Sequence, residues 1–139
     1  MTIVTVEETI AANANDVFKV LGDFGRIKVG GAITAFELEG EGVGAVRTIT
    51  MGGGQVIERL NEYDSEKLVF GYSILNEDNP LPVSNYSSQV EITANGEDAC
   101  TVNWSGTFEP KGADEAVASK VIHGIYTGGI ASTRKALGC

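Results

Sequence analysis

The chain has 139 residues, of which 42% are hydrophobic and 21% are charged, a composition typical of one globular domain covering residues 1–139. Its formal net charge of −9 argues against binding to nucleic acid and to anionic membrane surfaces. The N-terminus does not resemble a signal peptide and no apolar run reaches the roughly 20 residues of a membrane span, so we expect a cytoplasmic protein without membrane insertion.

The first predicted elements are a strand and a short helix. Residues 2–10 alternate in polarity and are rich in β-branched side chains, which predicts a strand. Apolar residues at helical spacing follow, with Asn15 or Asp16 as the expected N-cap. Gly22 and Gly25 are expected to end this helix.

The middle of the chain is predicted to consist of antiparallel strands. Alternating, β-branched segments lie at residues 32–40, 44–51, 55–63, 67–75, 85–94 and 99–110. Two prolines and several asparagines interrupt the pattern between the fourth and fifth of these segments, which indicates a loop. The Asn95-Gly96 pair predicts a hairpin between the last two.

A long helix is predicted at the C-terminal end, over residues 113–137. Acidic residues near its start and basic residues near its end suit the helix dipole. Gly124, Gly128 and Gly129 each weaken a helix by about 1 kcal/mol relative to alanine, so we expect close packing or room for a ligand beside them. The order of elements predicts an α+β fold in which a curved antiparallel sheet wraps the helix.

The inward-facing positions of these elements are apolar with scattered polar groups, a mixture that is typical of small-molecule pockets. The alternative is a solid core in which tyrosine hydroxyls reach the rim. A bulge in its strand would also turn Trp104 outward. The candidate ligand-binding residues are Met51, Val56, Tyr72, Ile74, Tyr86, Ser88, Trp104, Tyr126 and Ile130.

Arg47 and Glu58 are charged residues within the apolar stripes of two neighbouring strands. A two-residue turn within Gly52–Gly54 brings them together on one face, whereas a three-residue loop without a bulge separates them. The apolar stripes favour the two-residue turn. The pair is then either a structural ion pair or a catalytic site. In a catalytic site, Glu58 transfers protons while Arg47 keeps it ionised or binds a substrate oxygen.

Other sequence patterns indicate neither a metal nor a cofactor. His123 is the only histidine, and a lone histidine on a helix is more often a surface or packing residue than a base. No cluster of His, Cys and Asp has the spacing of a metal site, and the three glycines lack the Lys-Ser/Thr of a phosphate loop. Cys100 and Cys139 are expected to be free thiols.

Six segments occur in an order that resembles the polyketide cyclase/dehydrase branch of the START/Bet v 1-like superfamily. They are IAANANDVFKVLGDF, GVGAVRTITM, VIERLNEYD, FGYSIL, PLPVSNY and VNWSGTFEP, and the resemblance covers roughly residues 3–137. It implies a helix-grip fold, in which a curved seven-stranded antiparallel sheet surrounds a long C-terminal helix and encloses a cavity.

Within this superfamily the chain is similar to plant abscisic acid receptors and to lachrymatory-factor synthase. The first similarity implies that Glu58 and Tyr86 line a pocket with Ser88 beside them, and the second that Arg47 and Glu58 form a catalytic pair. The expected function is binding of a small hydrophobic or aromatic molecule and its conversion by a cyclase, dehydratase or isomerase-type enzyme, as a monomer or homodimer. The alternatives are a non-catalytic carrier or sensor of a lipid-like or aromatic ligand, and a partner-binding domain with a vestigial cavity.

Overall fold

The structure, a computed structural model, describes residues 1–27 and 29–139. These residues form two helices, α1 (Ala14–Leu21) and α2 (Glu115–Leu137). The strands that they form are β1 (Thr2–Ile10), β2 (Ile33–Glu39), β3 (Val46–Met51), β4 (Gly54–Asp64), β5 (Val69–Ile74), β6 (Val83–Ala94) and β7 (Cys100–Pro110). The predicted elements are therefore present in the predicted order.

The strands form one antiparallel sheet in the order β1-β7-β6-β5-β4-β3-β2. Strands β2 to β6 each pair with the next strand in the chain, whereas β1 pairs with the distant β7 from Thr2–Phe108 to Ile10–Cys100. Register shifts interrupt β2, β4 and β6, and such irregularities bend a sheet. The predicted α+β helix-grip fold, with seven strands and a long C-terminal helix, is confirmed.

Helix α2 packs against the inner face of the sheet through one of its sides. The buried residues on this side recur every three or four positions and are Ala118, Ile122, Tyr126, Ile130 and Thr133. Apolar residues also occur on the opposite side, where Val117, Val121 and Ile125 are exposed. Among the described residues, no helix is both long enough and apolar enough to span a membrane.

Helix α1 begins two or three residues earlier than the sequence suggested. Its N-cap is Asn13, whose side chain accepts a hydrogen bond from the Asn15 amide at 2.9 Å, so neither Asn15 nor Asp16 has that role. The helix ends at Gly22 as predicted, and the Gly22 amide donates to the Phe18 carbonyl at 2.8 Å. Residues 23–27 follow, and among them Phe24 packs against Arg47 and Tyr72 of the sheet.

Candidate functional site

The β3–β4 hairpin has the two-residue turn that the apolar stripes favoured. Gly52 and Gly53 form the turn, and Gly53 has φ of 97°, a conformation that glycine adopts without strain. Because of this register, Arg47 lies directly opposite Glu58 in the two paired strands. The predicted juxtaposition of the two charges is therefore confirmed.

Arg47 and Glu58 form a hydrogen-bonded ion pair inside the protein. The Arg47 Nε donates to Glu58 Oε1 at 2.7 Å, and the two side chains are 13% and 9% exposed. Arg47 Nη1 also donates to the Phe24 carbonyl at 3.3 Å. The guanidinium lies 4.0 Å from the centre of the Phe24 ring and 5.3 Å from that of Tyr72. These contacts hold the guanidinium in one position, while Nη2 has no acceptor among the described residues.

A cavity of about 600 Å³ lies beside this guanidinium, between the sheet, the end of α1 and the C-terminal half of α2. Its volume is within the range of small-molecule sites, and most of its wall is apolar. The polar side chains on the wall are those of Asp23, Arg26, Arg47 and Ser132. The remaining lining residues are Val20, Leu21, Phe24, Ile27, Ile33, Phe70, Tyr72, Trp104 and Gly129.

The candidate residues from the sequence differ in their relation to this cavity. Arg47, Tyr72 and Trp104 line it, and Trp104 faces inward as predicted. Glu58 is buried and bonded to Arg47 but is not part of the cavity wall. Four apolar candidates lie outside the wall, of which two are buried and two half-buried; these are Val56, Ile130, Met51 and Ile74.

The other polar candidates hydrogen-bond to one another in the interior. The hydroxyls of Tyr86 and Tyr126 are 2.5 Å apart, and that of Tyr126 is 3.1 Å from Ser88 Oγ. Trp104 Nε1 donates to Ser88 Oγ at 2.9 Å, and Ser88 Oγ in turn donates to the Ser105 carbonyl at 3.0 Å. We call Tyr86, Ser88, Trp104 and Tyr126 the inner network. Since its polar atoms satisfy one another, the inner network is an interior hydrogen-bonded cluster rather than a set of unpaired ligand-binding groups.

Packing of the inner network depends on a glycine in α2. The Trp104 and Tyr126 rings stack with their centres 4.6 Å apart. A Cβ at Gly129 would come within 2.7 and 2.8 Å of atoms of the Trp104 ring, so only glycine leaves room for it. The expected close packing therefore applies to Gly129, whereas Gly124 and Gly128 have nothing within 4 Å of an added Cβ.

Burial changes the acid–base behaviour of three interior tyrosines. Desolvation is the largest cause that raises the pKa of Tyr72, Tyr86 and Tyr126. At Tyr72 the Glu58 carboxylate raises the pKa further, while Arg47 lowers it. These hydroxyls are therefore protonated at neutral pH and can donate a hydrogen bond, but they are poor bases there.

The sequence did not predict the part of the cavity wall that lies outside the strands. The end of α1 and the loop after it supply Val20, Leu21, Phe24 and Ile27, and strand alternation assigns no face to residues there. The segment GDFGRI contained a signal, because two large apolar residues occur there in a glycine-containing loop. A large apolar residue in a loop is expected to pack against another part of the protein. Here Phe24 packs against Arg47 and Tyr72 of the sheet.

Other candidate chemistry lies away from the cavity. Within residues 1–27 and 29–139, no group of three His, Cys, Asp or Glu side chains could hold a metal ion. His123 is exposed on α2, Cys100 is buried and Cys139 is exposed. The arrangement that can act on a ligand is therefore the apolar cavity with Arg47 in its wall and Glu58 behind it.

Comparisons with known proteins agree with this architecture. Residues 1–138 match the family model described as polyketide cyclase/dehydrase and lipid transport. No curated protein matches the chain in sequence. Two similar solved structures are an uncharacterized protein from Bacillus thuringiensis (28% identity, 97% of this chain and 98% of that chain, TM-score 0.81) and XoxI from Bacillus cereus (29%, 98% and 95%, 0.82).

A third solved structure extends the fold comparison to plants. Norcoclaurine synthase from Thalictrum flavum, solved with dopamine and hydroxybenzaldehyde, is 21% identical, with 98% of this chain and 85% of that chain covered and a TM-score of 0.78. At this identity the likeness shows the fold alone.

Proposed function

The chain belongs to the polyketide cyclase/dehydrase and lipid transport family, and from this premise we propose that it binds a small apolar or aromatic molecule in its cavity and converts it as a cyclase, dehydratase or isomerase-type enzyme. The observation that carries the proposal is the Arg47 guanidinium, a fixed positive group in the wall of an otherwise largely apolar cavity. Such a site favours a ligand that has an apolar body and one oxygen with partial or full negative charge.

Arg47 would bind the ligand's oxygen. Its Nε and Nη1 are held by Glu58 and Phe24, which leaves Nη2 to donate to a carbonyl or carboxylate oxygen in the cavity. Because the Arg47 side chain is largely buried, this hydrogen bond is stronger than one in solution. The aromatic wall formed by Phe24, Tyr72 and Trp104 would contact the apolar body.

Glu58 would move the proton. Its carboxylate would remove a proton from the carbon next to the ligand's carbonyl, and Arg47 would stabilise the enolate oxygen that forms. Returning this proton to a different carbon gives an isomer, and giving it to a leaving hydroxyl gives water and a dehydrated product. Attack of the enolate carbon on a second carbonyl of the same molecule closes a ring and turns that carbonyl oxygen into an alkoxide, which takes up the proton held by Glu58.

A non-catalytic carrier is the second candidate, and one observation favours it. Glu58 does not line the cavity, and its Oε1 is bonded to Arg47. In a carrier, Glu58 would only hold Arg47 in place, and Arg47 would retain an anionic or carbonyl-containing lipid-like molecule. A molecule that co-purifies from the host and is detected by native mass spectrometry supports this role if the protein releases it unchanged.

The test of the enzyme proposal compares Glu58→Gln with wild type. A panel of small aromatic and aliphatic carbonyl compounds is incubated with the wild-type protein, and conversion is followed by mass spectrometry. With a converted compound, Glu58→Gln should lower kcat by about 10²–10⁴-fold, because the amide cannot accept the proton. Its Kd should change little, since the amide oxygen still accepts from Arg47 Nε.

Glu62→Gln is the matched control, since Glu62 lies on the same strand but is exposed and bonded to Gln89. It should leave turnover unchanged. Wild-type turnover in Glu58→Gln would reject Glu58 as the proton carrier. Binding of the compound without conversion by either protein would favour the carrier.

A further inference from the structure

Phe24 separates the cavity described above from a second one. The second cavity, of about 380 Å³, lies between the end of α1, the β2–β3 turn and β4. Asp23 and Phe24 line both cavities, and Phe24 is only 7% exposed although it belongs to a loop. The Phe24 ring is therefore the apolar part of the wall that the two cavities share.

The second cavity continues the chemical character of the first. Leu38, Leu60 and Tyr63 supply apolar surface, while Lys19 and Glu41 are also part of its lining. An apolar chain that crossed the shared wall would therefore pass from one mainly apolar surface to another. Its polar end could remain at Arg47, as in the proposed function.

Among the residues that the structure describes, one hydrogen bond joins the Phe24 loop to the sheet. Its backbone hydrogen bonds are local, such as that from the Arg26 amide to the Asp23 carbonyl at 3.0 Å. Arg47 supplies a bond from outside the loop, from Nη1 to the Phe24 carbonyl at 3.3 Å. This distance is at the long end for an N–H···O bond, whereas the Arg47–Glu58 bond is 2.7 Å. The weaker of these two bonds is therefore the one that holds the Phe24 carbonyl.

We propose that Phe24 is the specificity-determining residue that limits ligand length, because its ring closes the passage between the two cavities. With the ring in place, a bound molecule ends within the first cavity. When the ring is removed or displaced, a long aliphatic tail extends into the second cavity toward Leu60 and Tyr63. The inference rests on the proposed function only in assuming that a ligand's polar end binds beside Arg47.

The test measures the chain-length preference of variants with two probe acids, octanoate and hexadecanoate. Trp104 is the only tryptophan and lines the first cavity, so its fluorescence reports binding directly. The measured quantity is the ratio of the octanoate Kd to the hexadecanoate Kd. In Phe24→Ala this ratio should rise by about tenfold or more over wild type, because the longer tail gains apolar contacts in the second cavity.

Two control variants distinguish loss of the Phe24 ring from general effects of mutation. Phe24→Met keeps a long apolar side chain and should restore the wild-type ratio. Phe36→Ala removes a half-buried phenylalanine that lines neither cavity and should also leave the ratio within about twofold of wild type. If Phe24→Ala does not fold, Phe24→Val replaces it, since valine is also too short to span the shared wall.

The proposal would be overturned if the Kd ratio of folded Phe24→Ala, or of Phe24→Val in its place, stayed within about threefold of wild type. Removing the ring would then have opened no passage. Failure of both acids to bind any of the proteins, wild type included, would count against the proposed function instead. The crystal structure of Phe24→Ala then decides the partition separately. One continuous cavity supports it, and a loop that closes over the vacated space overturns it.

Discussion

Arg47 and Glu58 illustrate, at the scale of single residues, how charges can occupy an apolar wall. Each supplies the other's counter-charge at 2.7 Å, and the guanidinium faces are covered by aromatic rings. Buried ion pairs of this kind contribute little net stability, whereas removing one partner leaves the other as an uncompensated buried charge. A contribution to stability therefore does not account for the presence of this pair. Its position beside a cavity favours a role in binding.

The interior tyrosines make a prediction about stability at high pH. Burial raises the pKa of Tyr72, Tyr86 and Tyr126 above the ordinary 10.0, so the folded protein holds these protons after the unfolded chain releases them. Their contribution is complete below pH 10 and is lost as pH rises toward the folded-state values. Each tyrosine should lower the unfolding free energy by roughly 1 kcal/mol per pH unit in this range.

Urea unfolding between about pH 8 and pH 11 checks this prediction. Tyr126→Phe removes one of the titrating groups and should make the decline with pH shallower. The comparison uses the slope rather than the absolute stability, because the variant also loses the hydrogen bonds of Tyr126 to Tyr86 and Ser88. An identical slope in the variant and wild type would show that Tyr126 is not the source.

At the scale of elements, replacing either of two adjacent glycines in α2 by alanine should have opposite effects on stability. Gly128→Ala should stabilise the protein by about 0.5–1 kcal/mol, because alanine favours the helix and an added Cβ meets nothing within 4 Å. Gly129→Ala should destabilise it by about 1–3 kcal/mol, because the Cβ would overlap the Trp104 ring at 2.7 Å.

Chemical denaturation of both variants tests this difference, with the Trp104 emission spectrum as a second readout of packing. Gly124→Ala is a further control that should behave like Gly128→Ala, since it also has open space around an added Cβ. Equal stabilisation by Gly128→Ala and Gly129→Ala would mean that Trp104 does not lie against the helix.

The β3–β4 hairpin and the loop after α1 differ in how far sequence could predict them. In the hairpin, two alternating stripes and a glycine run restrict the register, so the position of Arg47 opposite Glu58 could be predicted. The loop has no periodicity, so its path over the sheet could not be predicted. The position of Phe24, which contacts Arg47 and lines two cavities, could therefore not be predicted either.

The whole molecule is held together by contacts between the two ends of the chain. β1 pairs with β7 along its length, and Arg134 of α2 donates to Glu8 and to the Thr9 carbonyl, each at 2.7 Å. The sheet and α2 therefore enclose the cavity as one unit. Ligand binding in the cavity should stabilise this unit against global unfolding.

This coupling gives a prediction for the whole protein with octanoate as the probe. Octanoate at 100 times its Kd should raise the unfolding free energy of the wild-type protein by about 2.7 kcal/mol. At the same concentration, Arg47→Met should gain much less, because it lacks the group that binds the carboxylate. Arg134→Met is the control, since Arg134 lines no described cavity, and it should gain as much as wild type. Urea unfolding with and without octanoate measures these gains, and an equal gain in Arg47→Met would contradict the role of Arg47.

The sequence by itself determined which residues face inward and which fold the chain adopts. Strand alternation, two helical patterns and the order of family-like segments are local signals, and together they predicted the seven-stranded sheet and the pairing of Arg47 with Glu58. Only the tertiary structure decided that Tyr86 and Tyr126 bond to each other, that Glu58 lies behind Arg47, and that Phe24 lines two cavities. The physical reason is that alternation assigns a side chain to a face, whereas its partners on that face depend on sheet curvature, helix position and the path of an aperiodic loop.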